Sequence, residues 1–176
     1  MADMPADLAL VESFLNSIDV ESGADDLDSV PRYAGWLRAH DQPSAGVTGS
    51  DLADARALRA ALRAAAHAHH DHAGAPDEPA LDALTRRIHL RATFGPAGIG
   101  LAAAETGARG VLGAVLAAVV LADRDGSWRR VKICREDTCQ WVFYDQSKNS
   151  AKQWCSMRVC GNRNKTRAYR ARQRAD

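Results

Sequence analysis

The chain has 176 residues, 46% of them hydrophobic, which suits one domain of ordinary size with a buried core plus a small module. Its formal charge of +1 conceals a division: residues 127–176 carry 13 Lys+Arg against 4 Asp+Glu, or +9, whereas residues 1–126 carry 10 against 18, or −8. The two parts therefore do not share a job, and polyanion contact is excluded from the acidic part and assigned to the basic one. The opening MADMPADLALVESF lacks the cationic and apolar regions of a signal peptide. The most apolar later run, 111–122, is about twelve residues and too short to span a bilayer. A cytoplasmic protein with no membrane partner is expected.

In chain order, Leu8, Val11, Leu15 and Ile18 recur at three- and four-residue steps with Phe14 beside them, predicting an amphipathic helix that ends before a Gly23-Ala24-Asp25-Asp26 loop. The acidic run 21–28 is expected to be solvated. A second helix starts near Ser29, an N-cap two residues before Pro31, and carries Tyr33, Trp36 and Leu37. After a Pro/Ser/Gly loop over 42–49, the longest helix is predicted over 50–73. It holds Leu52, Leu58 and Leu62 with many alanines and Arg56, Arg59 and Arg63. Asp77 is expected to cap a helix over 78–90 with Leu81, Leu84 and Ile88 inward. Strands 92–95 and 99–103 flank Gly95-Pro96-Ala97-Gly98 as a hairpin. A helix of small residues over 107–123, apolar all round, is expected to be the central buried element. The Asp125-Gly126 turn marks a boundary, and 128–133 and 141–144 read as short strands.

Chemistry concentrates beyond that turn. The chain's 4 cysteines fall as Cys134-x4-Cys139 and Cys155-x4-Cys160, two pairs with the same inner spacing. Two short turns presenting two sulfurs each is the arithmetic of a four-thiolate zinc site, and a reducing compartment favours metal over the alternative of two disulfides. Four protein ligands leave no open position, so one structural Zn2+ is expected, with no catalytic residues in the chain. Lys132, Arg135 and backbone N–H groups are expected to balance its net negative charge. The basic run Arg163, Lys165, Arg167, Arg170, Arg172 and Arg174 follows at once. At about 100° per residue, Arg163, Arg167, Arg170 and Arg174 fall in a band about 60° wide, with Lys165 and Arg172 opposite. This stripe is a candidate nucleic-acid contact, since guanidinium forks grip phosphate or guanine bidentately. A solvated basic tail is the plainer alternative.

Asn162 and Asn164 fit either adenine contacts or helix caps. Trp141, Phe143, Tyr144 and Trp154 fit either base stacking or a miniature core, and the core is favoured. His67, His69, His70 and His72 suggest a second metal site, but His67/His70 and His69/His72 point to different sides, so a surface patch is favoured.

The segment Cys134-x4-Cys139-x-Trp141-Val142-Phe143-Tyr144-Asp145, then Ser147-Lys148-Asn149, Trp154-Cys155-Ser156-Met157 and Cys160-Gly161-Asn162-Arg163 closely resembles the CGNR zinc-finger family. The likeness continues through Lys165, Arg167, Tyr169, Arg170 and Arg172. Phe14-Leu15-Asn16-Ser17, Asp26-Leu27 and Trp36-Leu37 resemble the opening of the ABATE domain that precedes this finger in the family, with Ser17 where threonine is expected. The resemblance implies a bacterial DNA-binding transcription regulator with four zinc cysteines. The expected architecture is mainly α: a helical domain over 1–125 with a small β-hairpin, then a treble-clef-like zinc module (α+β) over 127–176 ending in a basic helix. Expected partners are double-stranded DNA, a second copy in a homodimer, and a small-molecule effector of the helical domain. An RNA-binding or ribosome-associated protein is the alternative, and a small-molecule enzyme in the helical domain is a third reading.

Overall fold

The computed structural model describes residues 3–70, 78–96 and 98–174. Helix α1 (Ala6–Leu15) buries Leu8, Val11, Phe14 and Leu15 on one face. It is shorter than its apolar periodicity suggests, because the Ser17 hydroxyl donates to the Phe14 carbonyl at 2.7 Å and draws the chain away. Ile18 lies instead in β1 (Ile18–Asp19), antiparallel to β2 (Ala24–Asp25). The acidic stretch is solvated over 21–24 and at Asp28, as expected, but not throughout: Leu27 is fully buried and Asp25 pairs with the buried Arg59 of the third helix. Helix α2 (Val30–Ala39) starts after Ser29 with Pro31 in its first turn, and buries Tyr33, Trp36 and Leu37. Trp36 meets Phe14 edge-on, with ring centroids 5.8 Å apart.

Helix α3 (Gly49–Ala68) begins in a reciprocal cap. The Asp51 amide donates to Thr48 Oγ1 at 3.2 Å, and the Thr48 amide donates to Asp51 Oδ2 at 2.9 Å. It ends five residues short of the position expected from its alanine run; the expected Asp77 cap and His72 lie outside the described residues. Helix α4 (Glu78–Thr85) buries Leu84 and stops before Ile88, which is buried in the connection. Leu90 is not helical but opens β3 (Leu90–Gly95), paired in register with β4 (Gly98–Ala103). Helix α5 (Gly107–Asp125) is the central element, buried along most of its length and packed on α1, α3 and β4. It ends at Gly126, whose φ of 81° is the left-handed conformation that glycine tolerates best.

A single 3₁₀ turn (Trp128–Arg130) leads into β5 (Val131–Ile133), antiparallel to β6 (Val142–Tyr144), so the expected strand over 128–133 is half its length. A wide turn (Met157–Gly161) opens α6 (Asn162–Gln173). The fold is thus mainly helical with three small two-stranded sheets among the described residues.

The β5–β6 ribbon belongs to both halves. Trp128, Val131, Ile133, Val142 and Tyr144 join the main core with the helices, while Phe143 faces the other way beside Cys134 and Cys160. Its open edges are closed by side chains rather than strands. On the β6 side, Asn16 Nδ2 donates to the Val142 carbonyl at 2.9 Å and Asn16 Oδ1 accepts from the Val142 amide at 2.8 Å. Glu12, one turn earlier, accepts from the Tyr144 amide. On the β5 side, His69 Nδ1 donates to the Val131 carbonyl at 2.8 Å and His70 Nε2 to the Ile133 carbonyl at 2.5 Å. Arg63 donates to the Leu15 carbonyl at 2.8 Å and the Gln140 carbonyl at 2.9 Å, tying α1 to the ribbon's tip.

The ion pair beneath the acidic loop is as well anchored. Arg59 donates to both oxygens of Asp25 at 2.6 and 2.8 Å and to Ser17 Oγ at 3.0 Å. Arg59→Ala leaves Asp25 without its bidentate partner, and a loss of about 2 kcal/mol is expected, measured by chemical denaturation of the zinc-loaded protein.

Candidate metal centre and nucleic-acid interface

Cys134 follows the last residue of β5, and the chain then turns tightly. The amides of Cys139 and Gln140 donate to the Glu136 carbonyl at 2.8 and 3.0 Å, and Gln140 takes a left-handed φ of 49°. This knuckle points Cys134 and Cys139 to one side of the ribbon's tip. Cys155 approaches from the long connection, and Cys160 sits in the wide turn opening α6, where Ser156 Oγ accepts from the Val159 amide at 3.3 Å. The knuckle-plus-helix-start arrangement is the treble-clef-like module expected.

All four sulfurs lie within 4.8 Å of one another, with Cys139–Cys155 and Cys155–Cys160 each at 3.7 Å. Tetrahedral zinc with bonds of about 2.3 Å requires sulfurs about 3.8 Å apart, whereas a disulfide requires about 2.05 Å. The donor set fits zinc, and all four cysteines are free thiols. Burial and the neighbouring sulfurs push the Cys155 thiol up to about 12, and burial likewise raises Cys160. Metal binding must therefore displace protons from the cluster.

The expected role of Lys132 in offsetting the centre's charge does not hold. Its ammonium is committed to Asp145 Oδ2 at 2.9 Å and to the Ser150 carbonyl. Asp145 is fully buried. Burial opposes its ionisation, but the Ser147 hydroxyl, Lys132 and the amides of Ser147 and Lys152 outweigh that and hold it at about 2. It thereby organises the loop between the cysteine pairs.

Glu136 plays the corresponding part for α6. Although fully buried, its carboxylate accepts from Arg167 at 2.7 Å, Asn164 Nδ2 at 2.6 Å and Thr138 Oγ1 at 3.0 Å. The hydrogen bond from Arg167 is the main reason its carboxyl lies below the usual range. Each residue of Cys160-Gly161-Asn162-Arg163 has a distinct duty. Cys160 supplies a sulfur, and Gly161 leaves room where a Cβ would meet Met157 at 3.0 Å and Trp154 at 3.2 Å. Asn162 Nδ2 donates to the Arg158 carbonyl at 3.0 Å, and Arg163 pairs with Glu21 of the acidic loop at 2.7 Å. Asn164 also donates to the Cys160 carbonyl at 3.0 Å, which commits its amide nitrogen to the fold, whereas Asn162 remains exposed.

Helix α6 contains no buried residue among those described. Arg163, Arg167, Arg170 and Arg174 line one shallow cleft, joined by Arg158 from the preceding turn, while Lys165 and Arg172 are exposed but do not line it. Of the aromatics, Phe143 and Tyr144 are buried and Trp154 is half-buried against the cysteine cluster. Trp141 is 41% exposed; Phe143 and Trp154 form the miniature core, and Tyr144 joins the main one. His69 and His70 are half-buried ribbon clamps rather than a surface patch, and His67 is exposed. Sequence reasoning missed Glu136, Asp145 and Asn16; their one signal was a carboxylate or amide abutting the cysteine and core motifs.

A helical domain joined to a closed four-thiolate centre and an exposed cationic helix defines a zinc-finger protein whose metal is structural. Residues 8–130 match the family model ABATE, described as "Putative stress-induced transcription regulator", and residues 130–173 match the CGNR zinc finger. The first covers well over half of the chain, which belongs to the ABATE family and continues into a CGNR zinc finger holding one structural zinc. No match is found among curated proteins. No helix of the described residues is long and apolar enough to cross a membrane.

Zinc affinity is expected to fall steeply as pH drops, because up to four thiols regain protons, and competition against a chromophoric chelator across pH measures it. Asp145→Ala strands Lys132 in a buried site and is expected to cost about 3 kcal/mol. The folded-state pKa of Asp145 is depressed, so its contribution is present above the usual carboxylate range and is lost as pH falls from about 4 toward 2. The variant's acid unfolding should be correspondingly shallower over that window.

Proposed function

We propose that the protein is a bacterial, cytoplasmic DNA-binding transcription regulator whose residues 127–176 form the contacting module. One observation carries this reading: α6 extends from the zinc head with no buried residue, and five arginines line one cleft along it. Arg163, Lys165, Arg167, Arg170, Arg172 and Arg174 are assigned to the duplex. Arg170 and Arg174 would supply phosphate contact, and Lys165 and Arg172 would broaden the field from the far side. Arg163 reaches phosphate only by leaving Glu21, an exposed ion pair that is weak and easily exchanged. Arg167 would serve twice, fixing α6 to Glu136 and adding charge at the cleft. Residues 1–125 would sense an effector or form a homodimer, since one such module spans few base pairs.

The assignment predicts that Arg170→Ala and Arg174→Ala each leave zinc content and folding unchanged and flatten the salt dependence of duplex affinity by about one unit of slope. Arg167→Ala should in addition lower stability, because Glu136 stays buried with one partner fewer. Selection of genomic duplex fragments by the zinc-loaded full chain near physiological salt tests the function itself. Recovery of a shared motif is expected. Uniform recovery would reduce the helix to a phosphate binder, and preference for single-stranded RNA would replace the DNA reading.

A further inference from the structure

Where the helical domain meets the start of the basic segment there is a cavity that neither the cysteine cluster nor α6 lines. It lies between α3, α4, α5 and the 3₁₀ turn Trp128–Arg130 and encloses about 550 Å³, within the range of about 300–1,000 Å³ that small-molecule sites occupy. The floor is apolar and buried, built by Leu62, Ala65, Leu116 and Trp128. The rim is charged and exposed, formed by Asp123, Arg124 and Arg129. Neither arginine is held in an ion pair among the described residues. Among the described lining residues, two guanidinium groups against one carboxylate leave the mouth positive, Arg124 coming from the acidic part of the chain and Arg129 from the start of the basic one.

The cavity also touches the ribbon. His69 lines it while its Nδ1 donates to the Val131 carbonyl at 2.8 Å, and its ring stands edge-on to Trp128 with centroids 5.2 Å apart. An occupant would rest against the two side chains that connect α3 to β5, which runs directly into Cys134.

We propose that this cavity binds a small amphipathic carboxylate, a flat or branched apolar body bearing one carboxylate at its edge. The body would displace water from Leu62, Ala65, Leu116 and Trp128, and the carboxylate would take a forked hydrogen bond from Arg124 or Arg129. An amine is disfavoured by the two arginines, and a neutral apolar molecule would leave them unused. Binding stands apart from the regulator reading; only its use as an effector site rests on that reading.

The test titrates 2-naphthoate into the zinc-loaded full chain without DNA, following residue-resolved NMR shifts, with 2-naphthalenemethanol as the uncharged counterpart. Saturable one-site shifts at Leu62, Leu116 and Trp128 are expected, with the acid binding about tenfold tighter than the alcohol because it adds a charge-assisted bond. Arg124→Gln with Arg129→Gln should abolish that difference while leaving the alcohol's affinity in place. Ala65→Phe should exclude both probes; if that variant fails to fold, the rim change Val120→Phe serves instead. Equal affinity for acid and alcohol, no saturation, or acid shifts confined to the α6 arginines would each overturn the proposal. Because no DNA is present, failure of the regulator reading leaves this result standing, and the reverse holds equally.

Discussion

A ribbon of two three-residue strands cannot hold itself together in water, and the remainder of this structure depends on how that deficiency is met. Zinc fastens one end, where the knuckle and the start of α6 meet over four sulfurs. The helical domain fastens the sides. Glu12 and Asn16, one helical turn apart, engage the outward backbone groups of β6, and His69 and His70 engage those of β5. The Val142 amide and carbonyl, the Tyr144 amide and the carbonyls of Val131 and Ile133 thereby have side-chain partners where a neighbouring strand would bond, while Val131, Ile133, Val142 and Tyr144 are buried in the core shared with α1, α3 and α5.

This arrangement sets the aim of α6. The helix has no buried face of its own, so its direction comes from Cys160, from the packing room at Gly161 and from the Glu136 carboxylate that holds Asn164 and Arg167. Glu136 sits in the first knuckle, so the metal and the carboxylate fix the same helix from two points. The acidic half touches α6 through Glu21 and Arg163. Its negative charge thus meets the basic helix at the CGNR arginine, where a polyanion would compete for the same guanidinium.

Much of this was legible in the chain. The cysteine spacing implied the metal centre because two equally spaced pairs of thiols can close around one tetrahedral ion. Apolar periodicity and apolar runs located α1 to α5 because each buries a face, whereas α6, with no buried residue, was marked by the arginines that follow Cys160. What escaped is decided by contacts between distant residues. Ile18 keeps the helical rhythm of α1 yet leaves it, because Ser17 bonds back to Phe14 and Asp25 must reach Arg59. Leu90 fits the pattern of α4 but pairs with Ala103. The histidines looked like a titratable patch because neighbours in sequence do not disclose that β5 runs alongside the end of α3. Glu136 carried no signal of its own in the sequence, since its partners Asn164 and Arg167 lie about thirty positions further on.

The direct test of ribbon closure is residue-resolved amide hydrogen exchange on the zinc-loaded full chain, comparing Val142 and Tyr144 with Lys132 inside the ladder. The account predicts that both outward amides are protected nearly as well as Lys132, and that Asn16→Ala exposes Val142 while zinc stays bound. Exchange of Val142 and Tyr144 at the rate of an open strand edge in the unmodified protein would contradict it. The zinc module would then be tethered to the helical domain rather than built into it.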